Sequence, residues 1–317
     1  AVLPGGHMAN AAYWFQGKNE GSWISSTFYM ENLPSWVAAF NKSDAAGSYK
    51  KPWNLVKLEE AYTGGPDKSN YEGVFSGELA AVFPHDLPTL WEANGGYDIL
   101  KETTYGNSLT TDFAIAALKG EQLGKGTDTD FLALSYSSTD YVGHRFGVNS
   151  REVEDTYYRL DQDLERLLNA LDKQVGKGNY TLFLTADHAA VQVPTFLKDQ
   201  RIPAGYFDSK SFAASLNDYV LNEYGSEDII ENISNNQVFL NRELLKNLDI
   251  DADRIQEDLA QFMMLDPSVE RAYTASQMWK QSYTSGIPYI LQNGYNLKRS
   301  GDVLFVFKAA LISYPTT

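Results

Sequence analysis

Cysteine is absent from the 317 residues, which excludes disulfides, thiolate metal sites and a cysteine nucleophile without choosing a redox compartment. No run of about eighteen apolar residues occurs, so no transmembrane helix is expected. The start AVLPGGHMANAAYW lacks the basic-then-apolar order of a secretory leader, and its GGHM is taken as native sequence because it runs without a break into ordinary chain. Positive charge is in short supply: 26 Lys and Arg stand against 41 Asp and Glu, a formal net charge of −15. Such a surface repels phosphate backbones and anionic bilayers, so neither a nucleic-acid duplex nor a membrane is expected as the main partner. Repeats of fixed period and low-complexity tracts are missing, which argues against solenoids and propellers. The G-x-S-x-G elbow, the phosphate loop ending in G-K-[ST], G-x-G-x-x-G and H-E-x-x-H are missing too. A serine hydrolase would therefore need a triad gathered from distant positions.

What is present is a globular composition, 43% hydrophobic, long enough for one large domain or a core with an insertion. Residues 15–95 mix turns such as GKNEGSW and TGGPDKSN with short aromatic-rich pieces, and are expected to be irregular. Beyond them the pattern sharpens. LTTDFAIAALKGEQLG (109–124) reads as a helix, TDFLALSYS (129–137) as a buried strand, and SREVEDTYYRLDQDLERLLNALDKQVG (150–176) as a long helix. NYTLFLTA (179–186) reads as a second strand. In the long helix Val153, Tyr157, Leu160, Leu164, Leu167, Leu168 and Leu171 form one apolar stripe. Ser150 suits the N-cap, and Glu152, Glu154 and Asp155 suit the positive end of the helix dipole. Strand, helix, strand is a βαβ unit, whose right-handed crossover predicts two parallel strands in one sheet.

Ligand crevices in open α/β sheets lie beyond the carboxyl ends of the strands. Each of the two apolar runs ends there in one aspartate and one histidine: Asp140 and His144 after the first, Asp187 and His188 after the second. Without cysteine, imidazole nitrogen and carboxylate oxygen are the remaining zinc ligands. The D-x-x-x-H spacing puts Asp140 and His144 on one side of a helical turn, within reach of a single ion. Adjacent Asp187 and His188 diverge in extended chain, so they suit two ions, or one ion if the chain turns. His85, between prolines in FPHDLP, reads as a surface turn, and His7 in the Gly-rich start is given no role. The acidic TDTD at 127–130 lacks the glycine and glutamate of a calcium loop and reads as a solvated turn.

SSTDYVGHRFG, then S-x-E-x-E-D-T-Y-x-R-L-D, then FLTADH, in this order, resemble the alkaline phosphatase superfamily in its type I phosphodiesterase/nucleotide pyrophosphatase branch. The likeness is nearest to bacterial alkaline phosphatases with a threonine nucleophile. It extends through LPGGHMANAAYWF, WISSTFYMENLPSWVAAFN and YGNSLTTDFAIAALKGEQLGKGTDTDFLALS. The resemblance implies an alkaline-phosphatase-like α/β fold with a mostly parallel central sheet flanked by helices, and cap insertions. It implies a core from residues 1–194 and 296–317, with 195–295 as the cap. The activity implied is hydrolysis of phosphate esters by two zinc ions through a phosphothreonine. Asp140 and His144 match ligands of one ion, and Asp187 and His188 match ligands of the other. The family's threonine nucleophile, first aspartate ligand, phosphate-binding Asn and Lys/Arg pair, and last histidine ligand match no position here. The resemblance places the nucleophile upstream of Ala1. The chain is therefore expected to be an internal fragment, inactive alone, of a periplasmic or secreted bacterial enzyme. A sulfatase or phosphoglycerate-mutase-like relative, or a non-catalytic binding protein, are the alternatives on the same fold.

Overall fold

The computed structural model describes residues 6–18 and 20–313, and the chain forms two compact units, residues 1–193 and 194–317. In the first, strands β1 (Trp14–Gln16) and β2 (Ser22–Ile24) form an antiparallel pair with Phe15 opposite Trp23. Helices α1 (Ser35–Lys42), α2 (Leu87–Leu90), α3 (Thr104–Gly120), α4 (Ser138–Phe146) and α5 (Arg151–Gln174) follow. An aromatic cluster joins the pair to the helices. Phe113 of α3 stacks on Trp23 with ring centroids 4.0 Å apart and meets Tyr13, Trp36 and Phe40 at their edges or tilted faces. Each such ring removes a large apolar area from water, which gives this short-stranded region its core.

The long irregular stretch between α1 and α3 carries backbone donors that regular structure does not satisfy, and such groups need partners. The first turns of α5 supply them. Asp155, fully buried, accepts from Trp53 Nε1 at 2.7 Å, Val56 N at 2.8 Å and the Tyr62 hydroxyl at 2.6 Å, and pairs with Arg159 at 2.7 Å. Glu154 accepts from Thr63 N at 3.0 Å and Gly64 N at 2.8 Å. Further along, Asp163 accepts from Ser108 of α3 at 2.7 Å. Ser150 caps α5 by accepting from Val153 N, as its position predicts. The acidic residues that suit the helix dipole thus bind the preceding loop as well.

Two expectations for this unit need correction. The apolar stripe of α5 is only partly covered: Leu167 is buried, Tyr157 and Leu168 are exposed, and the most buried face instead carries Glu152, Asp155, Thr156 and Asp163. Its closest neighbours are α3 and the loop, both of which offer polar partners. The segments 129–137 and 179–186 meet at Phe131 and Phe183, ring centroids 6.3 Å apart, yet Phe131, Leu182, Phe183 and Leu184 are all exposed. Three consecutive side chains cannot share one direction, so water reaches residues 182–184 from every side. The sequence pattern is that of buried strands, and the burial is what the structure corrects.

The second unit contains α6 (Pro194–Asp199), β3 (Gly205–Phe207), α7 (Ser209–Tyr224), β4 (Ile230–Ser234), β5 (Gln237–Leu240), α8 (Arg242–Asn247), α9 (Ala252–Met263), β6 (Val269–Thr274), α10 (Ala275–Lys280), α11 (Gly286–Gly294), β7 (Val303–Phe307) and β8 (Leu311–Ser313). Strands β4, β5, β7 and β6 form an antiparallel sheet in that order, and β3 pairs with β8 in parallel. Phe212, Leu216 and Val220 of α7 and Ile255, Leu259 and Met263 of α9 pack with the sheet's Val238, Val303 and Phe305. Residues 296–317 were expected with the first unit. Strand β7 instead lies between β5 and β6, and Asp302 accepts from Leu240 N at 2.8 Å, so this stretch belongs with 194–295. The cause is the apolar run VLFVF, whose Val303, Leu304 and Phe305 are all buried.

Candidate functional site

Helix α4 buries Ser138, Val142 and Phe146 and turns Asp140 and His144, one turn apart, outward. Asp140 Oδ2 lies 3.4 Å from His144 Nε2. Its other oxygen, Oδ1, lies 3.9 Å from His188 Nε2, and His188 Nε2 is 3.8 Å from Asp187 Oδ2. The structure therefore brings the four sequence-predicted residues into one cluster centred on the Asp140 carboxylate. The chain turns at 187–188, where His188 N donates to Asp187 Oδ1 at 3.2 Å. His188 Nδ1 lies 3.1 Å from the carbonyl oxygen of Ala189. A carbonyl only accepts, so Nδ1 donates there and Nε2 is the ring atom turned toward Asp140. Cluster side chains are open to water, with Asp140 48% and His144 76% exposed. The threonine nucleophile expected upstream of Ala1 lies outside the described residues.

Both halves of the cluster are tied down from behind. On α4, the Arg145 guanidinium pairs with Glu102, donates to the Val74 carbonyl at 2.8 Å and lies over the Phe75 ring. After His188, Gln192 and Asn149 exchange amide hydrogen bonds, 2.9 Å for Asn149 Nδ2 to Gln192 Oε1. A cavity of about 400 Å³ flanks α4, lined in part by Tyr141, Arg145, Lys101 and Asn94. Its cations are already engaged, Lys101 with Asp98 at 2.5 Å and Arg145 with Glu102, which leaves the cavity poorly suited to an anionic group.

A zinc ion bound tetrahedrally at about 2.0–2.1 Å holds neighbouring donor atoms roughly 3.4 Å apart. Asp140 and His144 stand at that spacing. The contacts to His188 and from His188 to Asp187 are slightly longer, and among the described residues no three such donors are gathered closely enough for one ion. The donor set, two carboxylates and two imidazoles, fits a divalent cation.

Sequence reasoning missed a second charged cluster. His85 is not at the surface but fully buried, against Trp53, Phe75, Phe83 and Phe146. Its Nδ1 lies 2.8 Å from Glu78 and its Nε2 3.1 Å from Glu152. Burial pulls the imidazole down, but the hydrogen bonds and charges of Glu152 and Glu78 outweigh it and hold the ring at about 9. Nearby Glu72 is pushed up to about 8 by burial and then by the charges of Glu152 and Asp67. A signal existed: buried imidazoles need paired carboxylates, and α5 opens with three acids. His7 is exposed, and the TDTD turn is solvated apart from Asp130, which accepts from Gly124 N at 2.7 Å.

The model of the type I phosphodiesterase / nucleotide pyrophosphatase family matches residues 6–314. The chain is 42% identical to alkaline phosphatase PhoV of Synechococcus elongatus, over 100% of this chain and 56% of that protein. It is 37% identical to alkaline phosphatase PafA of Elizabethkingia meningoseptica, over 99% of this chain and 57% of that protein. A protein of Myroides odoratus named a calcium-transporting ATPase is 43% identical over 97% of this chain and 56% of its own length. The crystal structure of wild-type PafA superposes with a TM-score of 0.89 at 37% identity, covering 98% of this chain and 59% of that one. The chain thus spans under three fifths of the length of these relatives, and within that span it has the alkaline-phosphatase-like α/β fold. At this coverage and identity, the chain belongs to the type I phosphodiesterase / nucleotide pyrophosphatase family.

Proposed function

We propose that this chain is part of a zinc-dependent phosphoric ester hydrolase, with Asp140, His144, Asp187 and His188 as metal ligands. The observation that carries the reading is the Asp140 carboxylate, which faces the Nε2 atoms of two histidines that lie far apart in the sequence. Bound zinc would act there as a Lewis acid, stabilising the charge that develops on phosphoryl, attacking and leaving oxygens. The chain's own residues have narrower tasks. Asp140 supplies negative charge at the centre of the cluster, and His144 supplies a neutral donor one helical turn away. Asp187 supplies the second carboxylate and holds the His188 backbone in its turn. Ala189 fixes the His188 tautomer.

The reading includes a threonine nucleophile upstream of Ala1, further ligands and phosphate-binding cations in polypeptide outside these residues, and a periplasmic or secreted location. It accounts for the exposed apolar segments at 131–134 and 182–184 as strands that further polypeptide would pair and cover. No helix of the described residues is long and apolar enough to cross a membrane. The test is a competitive zinc titration of the chain against a chromophoric chelator, with Asp140→Asn beside it. We expect Asp140→Asn to lose at least tenfold in affinity, and equal affinity would remove Asp140 from the site. Assayed alone on p-nitrophenyl phosphate and bis-p-nitrophenyl phosphate, the chain should be inactive, because residues that act as a unit fail together. Turnover comparable to a longer polypeptide containing it would mean that the nucleophile lies within these 317 residues.

A further inference from the structure

We infer that Asn107 of α3 is a positioning residue for the metal-binding face of α4. The inference rests on the proposed function, since it concerns how Asp140 is aimed. Helix α4 starts without a side-chain cap of its own. Its buried Val142 and Phe146 pack into the core, and at its first turn bonds from α3 add to that packing. Asn107 is buried, 1% exposed, and its Nδ2 donates to Thr139 Oγ1 at 3.0 Å, on the residue just before Asp140. One turn along α3, buried Thr111 shares a hydrogen bond of 3.1 Å with the Tyr136 hydroxyl. The two α3 side chains thus grip both sides of the entry into α4.

Close approach of the helices makes this grip rigid. A side chain on Gly106 would run into Ser138, the first residue of α4, and into the Leu100 carbonyl at 2.7 Å. The ligand geometry is correspondingly sensitive. Side-chain tips lie about 5–6 Å from a helix axis, so rotating α4 by roughly 10° moves the Asp140 carboxylate about 1 Å. Metal–ligand distances tolerate only about 0.2 Å. Loss of the Asn107 bond should thus degrade metal binding well before it unfolds the unit. The far end of α4 is held separately, by Arg145 on Glu102 and by Gly73 N on the Arg145 carbonyl at 2.8 Å. The helix would pivot about that end.

The experiment measures zinc affinity, by competition with a chromophoric chelator, and melting temperature for the chain and for Asn107→Ala, Thr139→Val, their double mutant and Thr139→Ser. Thr139→Val keeps the side-chain volume and removes only the acceptor. Expected are losses of about tenfold in zinc affinity for each single variant, no further loss in the double mutant, and recovery in Thr139→Ser, whose hydroxyl can still accept. A structural role alone would lower the melting temperature of the singles without moving zinc affinity, and that result overturns the inference while leaving the metal reading intact. Additive losses in the double mutant would also overturn it, because the two groups would then act separately. If the unsubstituted chain binds no zinc, the metal reading falls first and the inference with it.

Discussion

Replacing His85 by glutamine should destabilise the first unit strongly, and more at low pH than at high pH. The imidazole is fully buried between Glu78 and Glu152, both of which are largely or wholly out of water. Removing one partner of a buried charge pair costs about 3–5 kcal/mol because the other charge is left uncompensated. Glutamine can donate to only part of that pair, so a value near 3 kcal/mol is expected at pH 6. The sign of the pH dependence follows from the raised folded-state value, about 9 against 6.5. The folded protein holds this proton more tightly than the unfolded chain. The contribution is therefore full below about pH 6.5 and is lost as pH rises through 9, a span that corresponds to on the order of 3 kcal/mol. Glu72, raised from 4.5 to about 8, acts in the same direction over a lower window. The His85 charge lowers Glu72, so in the variant this group is held higher still and its part in the comparison must be read together with that of His85. Five of the six tryptophans lie in residues 1–193, and Trp53 touches the His85 ring, so urea unfolding followed by tryptophan fluorescence at pH 6, 7.5 and 9 reads the effect. A difference under about 1 kcal/mol at pH 6, or one that does not shrink toward pH 9, would refute the buried imidazolium.

Three further outcomes are open to measurement. Gly106→Ala should lower the stability of the first unit by about 1–3 kcal/mol through overpacking, since its methyl group meets Ser138 and the Leu100 carbonyl; an unchanged urea midpoint would show that the helices separate freely. Asn235 and Asn236 form the two-residue turn between β4 and β5 with φ of 49° and 59°, so Asn236→Val should cost about 1–2 kcal/mol while Asn236→Gly is tolerated, both read by thermal melting. Phe183→Ser should change the stability of the chain by less than about 0.5 kcal/mol because the ring is exposed. In a longer polypeptide that buries this segment the same change should cost about 3–5 kcal/mol, and equal effects in both settings would argue against the proposed covering strands.

The parts of this protein that could be read from sequence are those that depend on nearest neighbours along the chain. Asp140 and His144 share a helix face because their spacing is one turn, and Ser150 caps α5 because its hydroxyl precedes the first helical amide. Whatever depends on distant partners was opaque. FPHDLP has the local marks of a turn, but His85 pairs with Trp53 as an isolated bridge, and its ring is drawn inward by Glu78 just before it, by Glu152 far along the chain and by the aromatic wall around it. The acids at the start of α5 look like dipole partners, and the same geometry that places them at the helix start also lets them satisfy the orphaned amides of residues 56–64. The two apolar runs were legible as strands in composition but not in burial, since the faces of a strand are covered only by what other segments lay against them. The same reasoning explains why the candidate site was legible in its members and not in its layout. Asp187 and His188 are adjacent, which leaves open one ion or two. The layout depends on the backbone bend at 187–188 and on the Asn149–Gln192 pair beyond it, after which the His188 ring faces a carboxylate presented by a different element.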